Sequence, residues 1–79
     1  MMNKTTFRKT IVEYLEHTPS KSCTFVALLL LCDYFEVSHR TLMGALQDLF
    51  YDRVIDIVPD EEYLARTTIR LIPNLNLID

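Results

Sequence analysis

The stretch Val37–Ile57, Val-Ser-His-Arg-Thr-Leu-Met-Gly-Ala-Leu-Gln-Asp-Leu-Phe-Tyr-Asp-Arg-Val-Ile-Asp-Ile, constrains the fold more than any other part of the chain. It predicts one helix over 38–52 followed at once by a strand. Ser38 is a strong N-cap type, and Val37 before it with Leu42 after it occupy the positions of a hydrophobic staple, so the helix start is fixed. Leu42, Ala45, Leu46 and Leu49 recur at the i, i+3, i+4, i+7 spacing that gathers apolar side chains on one stripe. At about 100° per residue the opposite face carries Arg40, Gly44, Gln47 and Tyr51, with Asp48 beside them.

The pattern Val-Ser-x-Arg-Thr-Leu-x-x-Ala-Leu-x-x-Leu, then Val54-Ile55-x-Ile57, resembles the recognition helix and first wing strand of prokaryotic winged-helix transcription regulators. The likeness is close over Val37–Ile57 and reaches the remaining residues only through the order of elements. It implies an α+β, mainly α fold, a three-helix winged helix-turn-helix with a C-terminal two-stranded β-hairpin wing. It also implies double-stranded DNA as partner and a bacterial or phage regulator of transcription. Under that resemblance the third helix enters the major groove, Ser38 and Thr41 bond phosphate, and His39 adds a donor. Arg40 pairs with guanine, Gln47 pairs with adenine, and Gly44 lets the DNA backbone come close. Gly44 is also a departure, since the family often carries a basic or long polar residue there.

Before this unit, Thr5 or Thr6 is the expected cap of a first helix over 6–17, with Phe7, Ile11, Tyr14 and Leu15 on its apolar stripe and Pro19 after its end. Arg8 and Lys9 sit near the positive end of that helix and Glu13 and Glu16 nearer the negative end. This order is unfavourable by roughly a few tenths of a kcal/mol per charge and invites a reason. In the family the start of the first helix often approaches phosphates, which makes Lys4, Arg8 and Lys9 candidate phosphate contacts; solvated surface charges are the plainer reading.

Pro19-Ser20-Lys21-Ser22 reads as a loop, with Ser22 capping a second helix over 23–35. Phe25 to Leu31 is an unbroken apolar run. Periodicity alone does not separate helix from buried strand in so short a run, but the Ala and four consecutive Leu favour helix. A helix apolar all round must be covered all round, and a domain this small hardly encloses one. Phe25, Leu28 and Leu29 are therefore expected to meet another chain in a homodimer. The tail 73–79 is read either as a frayed end or as more of that contact, through Leu75 and Leu77. Phe35-Glu36-Val37 is the turn between helices; it lacks the usual Gly, which leaves Glu36 in a strained position.

After the third helix, 54–58 is a strand, Pro59–Glu62 a turn, and 63–72 a second strand. Alternation puts Tyr63, Ala65, Thr67, Ile69 and Leu71 on one side, against the helices. Arg66 and Arg70 share the other side, pointing away from the core. As a pair on the wing they are candidate DNA contacts.

Size and charge bound the rest. The 79 residues make a single domain, 1–79, and the net charge of −3 with pI near 5.2 counts against a general nucleic-acid binder. It suits a rival reading, a winged-helix interaction module that binds another regulator or a phage or host protein without touching DNA. With one glycine there is no phosphate-cradling loop, and His17 and His39 lack metal-ligand spacing. Asp60-Glu61-Glu62 reads as a solvated turn, so no enzyme activity, cofactor or metal is expected. Cys23 and Cys32 fit no metal or redox motif and read as buried, reduced thiols. The start of the chain lacks an apolar targeting segment, and Cys23–Cys32 falls short of the ~20 residues that span a bilayer, which points to the cytoplasm.

Overall fold

The computed structural model describes residues 2–73, an α+β arrangement that is mainly helical. Leu75 and Leu77 lie outside the described residues. In chain order the elements are α1 (Lys4–Glu16), β1 (Ser22–Thr24), α2 (Phe25–Phe35), α3 (His39–Tyr51), β2 (Ile55–Val58), a 3-10 turn (Leu64–Arg66) and β3 (Thr68–Leu71). The strands form an antiparallel sheet in the order β1-β3-β2.

α1 is capped by Asn3 in place of Thr5 or Thr6. The Asn3 Oδ1 accepts the Thr6 N–H at 2.8 Å, and the helix begins correspondingly earlier, at Lys4. Phe7, Ile11 and Leu15 are fully buried on its inner stripe, with Tyr14 half-buried.

The start of the expected second helix is instead β1. Lys21 turns the chain with a left-handed φ of 56°, and Ser22, Cys23 and Thr24 then pair with Arg70, Ile69 and Thr68. Ser22 is therefore a strand residue, and the cap of α2 is Thr24, whose Oγ1 accepts the Ala27 N–H at 3.4 Å. Three residues carry no periodic signal of their own; what makes them a strand is the open edge of β3, whose N–H and C=O groups need partners. The sheet consequently has three strands where a two-stranded wing was expected.

Only one side of α2 is enclosed. Leu28 and Cys32 are fully buried, Phe25, Leu29 and Leu31 are half-buried, and Val26, Leu30 and Tyr34 remain exposed. Leu28, expected at an interface, thus belongs to the core of its own chain. Glu36 ends α2 in the left-handed region (φ 57°, ψ 45°), and Val37 N–H closes on Cys32 O at 2.9 Å. A non-glycine residue there costs about 1–2 kcal/mol, which the burial of Val37 beneath the turn helps offset.

α3 follows its pattern closely. Ser38 Oγ accepts the Thr41 N–H at 3.1 Å, and Leu42, Ala45, Leu46 and Leu49 are all buried. β2 then pairs with β3, Ile57 opposite Ile69 and Asp56 opposite Arg70. The second wing strand is shorter than its alternation suggested. Asp60 Oδ1 accepts the N–H groups of Glu62 and Tyr63, both at 2.9 Å, and the 3-10 turn follows, closed by Thr67 N–H on Leu64 O at 3.0 Å. Thr67, Ile69 and Leu71 still face inward, whereas Tyr63 and Ala65 are exposed. Phe7, Ile11, Leu15, Leu28, Leu42, Ile55 and Ile69 form one core drawn from α1, α2, α3 and the sheet.

Candidate nucleic-acid interface

Burying one stripe of α3 leaves Arg40, Gln47 and Tyr51 exposed on the other side. Ser38 and His39 at its N-terminus are exposed and Thr41 is half-buried, the Ser38 and Thr41 hydroxyls lying 2.9 Å apart. Among the described residues no carboxylate pairs with Arg40. Two further residues share this surface, Met43 and Phe50, both exposed. On the helical wheel they fall between the buried stripe and Gln47, a position legible in the pattern but given no role there.

The Gly44–Asp48 side of α3 leans on α1. Lys4 Nζ lies 3.0 Å and Arg8 NH1 3.1 Å from the same oxygen, Asp48 Oδ2. Lys4 and Arg8, read as phosphate contacts, are thus engaged within the fold, and Asp48 does not stand as an isolated charge against a phosphate. The same contact supplies the reason for Arg8 near the positive end of α1. A Cβ on Gly44 would come 3.2 Å from Lys4 Cδ, so this glycine clears the stem of Lys4. Lys9 stays exposed, on a cleft of about 410 Å³ between α1 and the end of α3, where Arg8, Glu13 and Asp52 rim a floor of Val12, Leu49 and Val54.

Arg66 and Arg70 do not share one strand face. Arg66 lies on the 3-10 turn with its guanidinium 4.7 Å from the centroid of the Tyr63 ring, a cation–π stack. Arg70 donates to Asp56 Oδ2 across the β2–β3 pair at 3.0 Å. Arg53, which no pattern in the chain singles out, is exposed with a φ of 62° and borders an open groove of about 330 Å³ with Phe50, Tyr51, Asp56 and Ile72.

The cysteines offer little chemistry. Burial pushes the Cys23 thiol up to about 11, and burial together with the charge of Asp33 raises that of Cys32. Both therefore stay protonated near neutral pH, where only the thiolate is a nucleophile or metal ligand. Among the described residues no three His, Cys, Asp or Glu side chains are grouped to hold a metal ion, and no helix is long and apolar enough to cross a membrane.

Compared with protein-family models, curated proteins and solved structures, the chain finds no match.

Proposed function

We propose that this chain is a small winged-helix regulator that reads duplex DNA with α3. The order helix, strand, helix, helix, strand, strand with β3 central is compatible with that fold. The observation that carries the reading is α3 itself, a helix with a capped N-terminus and with Arg40 and Gln47 exposed opposite its buried stripe. Those two residues stand about 10.5 Å apart along the helix axis, close to three base-pair steps. Arg40 is suited to guanine O6 and N7, Gln47 to adenine N6 and N7, and the positive end of α3 to a phosphate.

The supply of free cations is reduced, since Lys4, Arg8 and Arg70 each pair with a carboxylate of the same chain. Affinity then rests on base edges more than on phosphates, and the salt dependence is moderate. Binding to random and selected duplexes across a salt series tests the proposal: Arg40→Ala and Gln47→Ala each lose about 1–3 kcal/mol of discrimination at one base position. No binding to any duplex at low salt overturns it.

Met43, Phe50 and Tyr51, exposed along the same helix as Arg40 and Gln47, favour one other reading, in which the same face docks on another regulatory protein and DNA is not contacted. Loss of a protein partner on Tyr51→Ala, in a chain that binds no duplex, is the result that selects it.

A further inference from the structure

We infer that the outward ridge of α2 joins two copies of this chain about a two-fold axis, the two α2 helices antiparallel and Leu30 packed against Leu30. This surface is separate from the α3 face and does not rest on the DNA reading. Val26, Leu30 and Tyr34 recur every four residues along α2 and are 43%, 64% and 79% exposed. Together they make one i±4 ridge along the outer side of the helix.

The placement of the ridge suits a second copy more than an unrelated surface. In a two-fold contact every residue i meets j while j meets i, and only a residue on the axis meets itself. α2 runs from Phe25 to Phe35, so Leu30 stands at its midpoint, with Val26 and Tyr34 equally far on either side. Antiparallel pairing sets the small Val26 of each copy against the large Tyr34 of the other.

Charge fixes the direction. Asp33 and Glu36 lie at the C-terminal end of α2, where the helix dipole is already negative, and the first turn carries no acid. Antiparallel pairing brings each acidic end beside the positive N-terminus of the other helix. Parallel pairing would set Asp33 against Asp33.

A stable contact takes roughly 800 Å² from each partner, about one seventh of the 5703 Å² this chain exposes. The ridge alone is too narrow, but the 3-10 turn packs beside α2, tied to its start by the Phe25 N–H on Thr67 O at 2.8 Å. That turn adds Leu64, 70% exposed, at the end that would receive the second copy's Tyr34.

Sedimentation and oxidative cross-linking of the full chain test the inference together. The chain should sediment at micromolar concentration with twice its 9.3 kDa mass, and Leu30→Glu should sediment as a monomer with unchanged helical circular dichroism. Under mild oxidation Leu30→Cys should give a covalent dimer that the wild type does not. Val26→Cys alone should not cross-link, whereas a mixture of Val26→Cys and Tyr34→Cys should. A wild-type monomer throughout the micromolar range, or a Leu30→Glu variant that remains dimeric, overturns the inference. Cross-linking of Val26→Cys as readily as Leu30→Cys overturns the antiparallel geometry, and the cross-linking arm decides the matter even if Leu30→Glu fails to fold.

Discussion

Arg8 on α1 donates to Asp48 on α3 at 3.1 Å, and the oxygen that accepts it also accepts Lys4. One carboxylate thus restrains two cations of the N-terminal helix at the border of the proposed DNA-reading face. These groups are partly exposed, so the pair of contacts contributes at most about 1 kcal/mol, less as salt screens it. Asp48→Asn is expected to lower stability by that amount in low salt and by much less in high salt, as read by urea denaturation. If α3 binds DNA, the same change frees Lys4 and Arg8 for phosphates. Affinity then rises, and the slope of log K against log salt steepens by up to about 1.8.

Gly44 gives the complementary test. A methyl group there meets Lys4 Cδ at 3.2 Å, the stem of a flexible side chain that gives way by a few tenths of an ångström. Replacing glycine within a helix gains roughly 0.5–1 kcal/mol. Gly44→Ala should therefore raise the thermal midpoint, while Gly44→Val, whose branched side chain displaces Lys4 from Asp48, should not.

Ser38 separates folding from binding. Ser38→Ala removes the acceptor of the Thr41 N–H and should cost about 1 kcal/mol in chemical denaturation. Ser38→Asp keeps a good cap and should leave stability near that of the wild type. Its added negative charge at the helix N-terminus should weaken any duplex binding severalfold, so stability and affinity part company in this variant.

Glu36 holds a φ of 57° at the turn between α2 and α3. Glycine at that position relieves about 1–2 kcal/mol of backbone strain and returns part of it through a more flexible unfolded chain. Glu36→Gly is expected to stabilise by about 0.5–1 kcal/mol, and Glu36→Val, branched at Cβ, to destabilise. Thermal unfolding of the two variants gives opposite shifts.

Cys23 is raised from 9.0 to about 11 by burial. At pH 8 its thiolate fraction is about 100-fold below that of an ordinary thiol, and alkylation should be slow to match until the chain is unfolded. Because the folded value lies above the unfolded one, the contribution to stability is complete below pH 9 and is lost as pH climbs toward 11. A Cys23→Ala chain should lack that alkaline decline, measured as the difference between the two denaturation profiles.

Much of this architecture is written locally. The cap at Ser38, the staple of Val37 with Leu42 and the stripe to Leu49 are contacts between neighbours in the chain, so spacing alone reveals them. β1 is different: Ser22, Cys23 and Thr24 become a strand through residues 68–70, and nothing within three residues records that pairing. The same holds for the candidate site. That Arg40 and Gln47 face outward follows from helical period. That Lys4 and Arg8 are occupied, and that Arg70 is held by Asp56, depends on which acids the fold delivers to them. Arg66 left its expected strand because Asp60 captures two N–H groups and favours a tight turn over an extended chain. The acidic tip is a solvated turn and, through Asp60, also delays the start of β3 to Thr68.

The central place of β3 bears on the order of events in folding. Thr68–Leu71 is the last strand of the described chain, yet both other strands depend on it for their partners. The hairpin with β2 closes a short loop and forms readily, while the pairing of Cys23 with Ile69 joins distant parts of the chain and is entropically later. Before that closure, Ser22–Thr24 has no partner and the start of α2 lacks the carbonyl of Thr67. In refolding, the amide protons of β1 should be the last among the strands to gain protection from exchange.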